Sequence, residues 1–292
     1  MILGYISAFL YVVITTISTL FIEARLVTVG DTLSILFLAM LLASLFFNLA
    51  GIKILKKAYK NVLLDLKGYL VFCMFISIIW VCSIYGVQYS NALIFNINFF
   101  LAAVAIAYFL QYQENKSKID LVLFVISCAV LAFSFINNYN LWIGILIALF
   151  GGFSAYIYKR ASFTYAKDHS ASALEILMTR FLPIIIFLSF RVDMHSVLSI
   201  YVNYKSIILF FAFISFIIPT YLAQYSTNHI GAAQSAIISG LIFPLCWFGD
   251  FIIHNGNLDK IKISDLVTAV VAFFVIIYPY VIKSKFYIRK LK

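Results

Sequence analysis

Three observations predict an all-α integral membrane protein: ten transmembrane helices arranged as two inverted five-helix repeats. The first is composition. Of 292 residues, 64% are hydrophobic and only 11% charged, and the mean hydropathy is +1.06. So much apolar surface cannot be hidden in one water-soluble core, and in lipid only helices or closed barrels satisfy the backbone. The second is pattern: the apolar residues run continuously rather than alternating, which reads as helix and not as barrel strand. The third is the placement of lysine and arginine, which favours every second link along the chain.

The spans are expected at 2–22, 32–51, 67–88, 91–110, 119–136, 141–158, 171–190, 206–225, 231–253 and 264–282. Several approach the ~20 residues needed to cross a bilayer. The first lacks a basic leading region and an A-x-A cleavage site, so it is expected to stay in the mature protein.

Orientation follows from the basic residues. The N-terminal side holds Lys53, Lys56, Lys57, Lys60, Lys67, Lys116, Lys118, Lys159, Arg160, Lys167, Lys283, Lys285, Arg289, Lys290 and Lys292, which is 15. The other side holds Arg25, Arg191, Lys205, Lys260 and Lys262, which is 5, and Arg180 stays inside a span. This bias predicts cytoplasmic termini in a bacterial inner membrane and an even number of spans. The net charge of +10 then reflects topology and contact with lipid headgroups. Nucleic-acid binding is excluded, because the basic residues are scattered over short links rather than gathered on one soluble domain.

Cys73, Cys82, Cys128 and Cys246 all lie in spans, and none forms a C-x-x-C pair; they read as apolar packing residues. No cofactor and no metal is expected. Trp142 opens the sixth span, where an interfacial anchor is expected, while Trp80 and Trp247 lie deeper.

Ten spans divide into residues 1–137 and 138–292. The halves share a loose pattern, in which a span ending in polar residues is followed by a very short link and a span opening on small ones. Residues 85–94 (YGVQYSNALI) and 225–236 (YSTNHIGAAQSA) carry it. Because five is odd, the second half enters the membrane from the opposite side. That inverted repeat is the architecture of many secondary transporters, whose substrate site lies between the halves.

The stretch Gly231-Ala232-Ala233-Gln234-Ser235-Ala236-Ile237-Ile238-Ser239-Gly240-Leu241, with Pro244 downstream, resembles the ninth span of EamA-type transporters in the drug/metabolite transporter superfamily. Also similar are the Gly/Ala-rich stretch 140–160, closed by Lys159-Arg160, and Arg180-Phe181-Leu182 in the seventh span. The resemblance covers nearly the whole chain. The first half departs from the family: its second span has no Arg, and its fourth has Asn96 and Asn98 in place of a proline. All four prolines (Pro183, Pro219, Pro244, Pro279) lie in the second half.

Charged residues inside spans cost several kcal/mol unless paired or hydrated, so each needs a reason. At ~1.5 Å rise per residue, Arg180 sits about 14 Å from the cytoplasmic entry, Glu175 is shallower, and Asp250 lies about 28 Å along its span. Arg180 and Asp250 are therefore not expected to pair, nor are Glu175 and Arg180, five residues apart on one helix. Two readings fit Arg180: a guanidinium that holds a carboxylate or phosphate of a substrate, or a clamp on neighbouring carbonyls. Glu175 reads as an interfacial residue or a proton carrier, and Asp250 as an outer gate or an interfacial carboxylate.

Asn96 and Asn98 are two apart, so at most one faces a central cavity and the other bonds a neighbouring helix. Ala232, Ala236 and Gly240 form a small-residue stripe suited to close helix packing or to a narrow part of a transport path. Pro219 permits a kink beside Thr220, Tyr221 and Gln224. Trp80, Tyr85, Tyr156 and Tyr221 are candidate aromatic walls; these suit a cation, Arg180 suits an anion, and a zwitterion would use both.

The resemblance implies a secondary transporter of a small organic, amino acid-like metabolite, with export the expected direction and a proton or counter-substrate as the drive. The substrate residues expected are Arg180, Asn96, Trp80, Tyr221 and Gln224, with Asp250, Glu175 and Pro219 as coupling or gating positions. Uptake or exchange of an amine, nucleoside-like or amino-acid metabolite is the rival within this class, and a non-transporting scaffold the rival outside it. An intramembrane enzyme is disfavoured: there is no H-E-x-x-H, no G-x-S-x-G and no P-loop, and His169, His195, His229 and His254 sit at span ends or in links. Small solute and membrane lipid are the expected partners, and the chain is expected as a monomer or homodimer.

Overall fold

The computed structural model describes the backbone of residues 2–25, 31–253 and 263–290; the side chains of 23–25, 250, 253, 263, 265 and 279–290 lie outside the described residues. The chain is helical throughout, with no strand among the described residues. Its helices are α1 (Ile2–Arg25), α2 (Thr32–Ala50), α3 (Leu55–Leu64), α4 (Leu66–Tyr89), α5 (Ala92–Asn115), α6 (Lys118–Asn137), α7 (Trp142–Asp168), α8 (Ala173–Arg180), α9 (Leu182–Ser189), α10 (Met194–Phe211), α11 (Ile218–Ile230), α12 (Ala232–Ser239), α13 (Ile242–Ile253) and α14 (Ile263–Lys290). A π-helical segment, Ala212–Ile217, joins α10 to α11 without a break.

Among the described residues, eight helical stretches are long and apolar enough to cross a membrane. Their outer surface is apolar as well: Val202, Ile136 and Leu49 are 74%, 73% and 71% exposed. A soluble protein does not present bare side chains of this kind on so many helices, so the chain is a multi-pass, membrane-embedded helical protein.

Helix starts are written in the sequence as caps. Asp31, Asp65, Asn91, Ser117, Ser172 and Asp193 each accept a backbone N–H from the first turn of the helix that follows, which satisfies donors the helix itself leaves free. At Asp65 the Gly68 N–H donates over 2.9 Å. That bond, with His169 3.3 Å away, holds the carboxyl below the usual range. Because the folded value is depressed, the stabilisation is present above the unfolded pKa of ~3.9 and is lost as pH falls through the folded value. Asp65→Ala is therefore expected to cost about 1 kcal/mol at neutral pH. Thermal unfolding of the two proteins in detergent should converge on acidification; a gap that persists in acid would refute the assignment.

Three departures from the expected spans matter for the site. The sixth helix does not end at Tyr158 but runs on to Asp168. The seventh and ninth spans are broken, at Phe181 and at Gly240–Leu241. Proline explains where. Pro183 lies in the first turn of α9, where its missing N–H costs nothing, but its ring displaces the carbonyl of Thr179 from the helix ladder. Tyr69 donates its hydroxyl to that carbonyl over 3.0 Å. Pro219 likewise lies in the first turn of α11, just after the π-helical segment, and Pro244 in the first turn of α13.

Residues 52–66, expected as a link, contain the amphipathic α3. Its inward Asn61 and Ala58 are buried, while Lys56, Lys60, Leu63 and Leu64 are exposed. Lys57 on α3 pairs with Glu175 of α8 at 2.9 Å.

Helices pack in recurring pairs. α4 lies along α7, and α1 along α11. α5 packs on α6, α7, α12 and α13, while α1 also meets α12 and α13. α2 packs on α8, α9, α10 and the π-helical segment; α4 also meets α9, and α6 and α13 both meet α14. The largest buried cluster forms where α5 crosses α12 and α13, around Leu101, Val104, Ile237 and Ile242.

Candidate functional site

Where α1, α4 and α5 meet α7, α8, α11 and α12, the helices leave a cavity of about 120 Å³. It is flanked by residues from both sides of position 137. Arg180, Asn96, Trp80 and Pro219, expected from the sequence to serve the site, all line it.

Arg180 is the last residue of α8. The break imposed by Pro183 ends the helix there, and the partial negative charge at a helix C-terminus favours a cation. The residue is only 2% exposed. Its Nη1 donates to the Tyr158 hydroxyl at 2.5 Å, Tyr158 donates to Gln224 Oε1 at 2.7 Å, and Gln224 Nε2 donates to Asn228 Oδ1 at 2.9 Å. Gln224 thus joins the site through Tyr158 rather than by lining the cavity. The guanidinium carbon lies 5.6 Å from the Tyr158 ring centre and 4.8 Å from that of Phe181. Arg180 Nε and Nη2 are buried without a hydrogen-bond partner, as is Trp80 Nε1.

The second cation is Lys159, which the sequence reading assigned to a cytoplasmic link. That assignment is corrected: α7 continues past it, and the side chain is buried in the cavity wall. Lys159 Nζ donates to Ser239 Oγ at 2.6 Å and to the Ser235 carbonyl at 3.0 Å, and sits 5.7 Å from the Tyr11 ring centre. The small-residue stripe of α12 therefore does two things. Ala236 and Ser239 line the cavity, while a Cβ on Gly240 would come within 2.7 Å of Ile276 on α14.

The asparagines divide as their spacing requires. Asn96 lines the cavity and donates to Cys246 Sγ at 3.2 Å. Asn98 is turned away, onto the Ile94 carbonyl at 2.8 Å and Ser134 Oγ at 3.1 Å.

Tyr221, Tyr85 and Tyr156, expected as aromatic walls, are not among the residues that line this cavity. At ~100° per residue, Pro219, Thr220 and Ala223 define the cavity face of α11, and Tyr221 falls nearly opposite; it is 40% exposed. Tyr85 is opposite Trp80 and Val87 on α4 by the same rule. The aromatic lining comes from Tyr11, Phe95, Phe99, Phe100 and Tyr158 beside Trp80.

Glu175 lies away from the cavity. It caps α8 together with Ser172, pairs with Lys57, and receives Asn61 Nδ2 at 3.5 Å. The side chain of Asp250 lies outside the described residues. No group of three His, Cys, Asp or Glu residues able to hold a metal ion occurs among the described residues.

Two further contacts tie α1 to the π-helical segment and to α12. Ser18 and Ser215 lie 2.5 Å apart across α1 and the π-helical segment, and Tyr5 donates to Gln234 on α12. Comparison with protein-family models and with curated proteins finds no match to the chain.

Proposed function

We propose that the chain is a secondary transporter of a small organic metabolite, of the EamA type within the drug/metabolite transporter superfamily, acting by alternating access in a bacterial inner membrane. The observation that carries this reading is the cavity: buried, lined by helices from both halves of the chain, and holding two cations and an unpartnered indole N–H among apolar walls. Intramembrane charge of this kind is costly and marks a solute pathway. Binding sites of this kind are built from helices interrupted near the substrate, and Arg180 sits at one such interruption. π-helical segments also recur at functional sites.

The helix pairs support ten spans in two inverted halves. Count α8 with α9 as the seventh span, the π-helical segment with α11 as the eighth, and α12 with α13 as the ninth. Exchange the first five spans for the last five. The pair α4–α7 then becomes α11–α1, α5–α7 becomes the α12–α13 span on α1, α5–α6 becomes α13–α14, and α2 on the π-helical segment becomes α9 on α4. The pairs α2 with α8–α9, α5 with α12–α13, and α6 with α14 map onto themselves. Such a pattern is what a two-fold axis in the membrane plane produces.

No ATP-binding motif is present in the sequence, so the drive is a gradient or an exchange, with export as the proposed direction. The test is flux in reconstituted vesicles across a broad metabolite panel, with and without a proton gradient, read in both orientations. Gradient-dependent or exchange flux is expected; its absence across the panel would refute transport. Net accumulation into the cytoplasm-equivalent side would reassign the direction to uptake.

Tyr158→Phe removes the hydroxyl that links Arg180 to Gln224 and leaves two buried groups without that partner. A loss of about 1–3 kcal/mol in stability or binding is expected, seen as a roughly tenfold or greater fall in flux at equal protein. Unchanged flux would remove Tyr158 from the site.

A further inference from the structure

We infer that the cavity takes a small organic anion, a carboxylate or phosphate carrying no ammonium group, held by the Nε–Nη2 edge of Arg180 with Lys159 as the second positive charge. This rests on the transporter reading of the same cavity and narrows its substrate class.

The first ground is the form of the unpaired group. Nε and Nη2 lie on one edge of the guanidinium, with N–H bonds nearly parallel, and that edge matches the two oxygens of a carboxylate or phosphate. Both atoms lack a protein partner, while Nη1 on the other side is fixed by Tyr158. The protein has oriented one side of the fork and left the bidentate side free. Both atoms are buried in this conformation, beside the break at Phe181 that separates α8 from α9.

The second ground is charge. The cavity wall holds two cations, and no Asp or Glu stands among the described residues that line it. Glu175 is already paired with Lys57. An incoming anion would offset the cost of both buried cations, whereas a cationic ligand would add to it. Lys159 has three donor positions and spends two on Ser235 and Ser239.

The third ground is that the aromatic faces nearest the two cations are taken. The Tyr158 and Phe181 rings lie against Arg180, and the Tyr11 ring against Lys159. Trp80 stacks on Phe216, ring centres 4.1 Å apart. The remaining lining rings, Phe95, Phe99 and Phe100, pack on one another, and the Trp80 N–H is free to donate. With no carboxylate among the described lining residues to receive an ammonium, the cavity disfavours the zwitterion that the sequence alone left open. At about 120 Å³ the space is comparable to the ~150 Å³ cavities that hold a benzene-sized molecule, so the anion is small.

The test uses the full chain in phosphatidylcholine nanodiscs, which contain no anionic lipid headgroup. Thermal midpoints are titrated with lactate, succinate and inorganic phosphate, and with alanine and putrescine. At least one anion should raise the midpoint, and alanine and putrescine should not. Arg180→Gln should weaken that anion by about tenfold or more, Arg180→Lys less, and Trp80→Phe, which keeps the stack but removes the donor, by several-fold. If Arg180→Gln does not fold, Lys159→Gln and Trp80→Phe carry the comparison.

No shift with any of the three anions, a shift with alanine or putrescine alone, or anion binding unaltered in all the variants would each overturn the inference. A shift that needs added phosphatidylglycerol would overturn it too, in favour of a lipid headgroup. Flux separates the two levels of the argument. Alanine flux without anion binding would sink the anion and leave transport standing, and anion binding without flux of any solute would do the reverse.

Discussion

Arg180→Ala is expected to abolish transport while leaving the protein in the membrane at normal abundance. The buried guanidinium has one bond to Tyr158 and two donors without partners, so it adds little to stability for the solvation it loses. A buried cation with no partner charge costs free energy to desolvate, and its removal relieves that cost. Substrate stands to lose a bidentate, charge-assisted contact worth roughly 3 kcal/mol in a dry site, a fall of about 100-fold or more in flux. Flux per reconstituted molecule, with the thermal midpoint measured alongside, checks both halves of the statement. Flux retained at wild-type level would reduce Arg180 to a structural clamp, and loss of the folded protein would give it a structural role the hydrogen bonds do not suggest.

The second large effect falls on folding. Gly152→Ala is expected to destabilise the protein by about 3 kcal/mol, the upper part of the range for overpacking. A Cβ at Gly152 would run into the backbone carbonyl oxygen of Phe99 on α5 and stand 2.9 Å from the Ala102 Cβ. Backbone cannot turn aside as a side chain does, so α5 and α7 would have to separate. These two helices carry Asn96 on one side and Tyr158 and Lys159 on the other, so the same change should loosen the cavity. Gly231 offers a contrast: its φ is +85° and nothing lies within 4 Å of a Cβ built there. Its ψ of 161° places it in a region that essentially only glycine adopts, so Gly231→Ala should cost local backbone strain alone, about 1–3 kcal/mol. Thermal midpoints in one detergent check the pair, and a Gly152→Ala variant as stable as the unsubstituted protein would contradict the helix contact.

The contrast between sequence and structure has a physical pattern. Continuous apolar runs fix the helices because lipid leaves the backbone no other open form, whereas the caps at Asp31, Asn91 and Asp193 emerge only with the structure. Arg180, Asn96 and Trp80 stood out because a polar or amphipathic group in an apolar helix needs a reason. Lys159 did not, since beside Arg160 it looks like the basic end of a span; only the ten further residues of α7 carry it inside. Tyr221 and Tyr158 differ by which way each helix is rotated, and rotation is set by packing between helices that are distant in sequence. The break at Phe181 had a signal, Pro183, but a proline in a membrane helix bends in some settings and interrupts in others, and here Tyr69 from α4 settles it by taking the freed carbonyl.

The most direct test of alternating access is whether one wall position can be reached from both sides of the membrane. Ala223 lines the cavity on α11 and accepts a cysteine with little change in volume. Ala223→Cys, in a protein whose Cys73, Cys82, Cys128 and Cys246 are replaced by Ser or Ala, is labelled with a membrane-impermeant thiol reagent in right-side-out and inside-out vesicles. Labelling from both sides, slowed by a transported solute, is the predicted result. Labelling from one side only, or from neither, would contradict alternating access through this cavity.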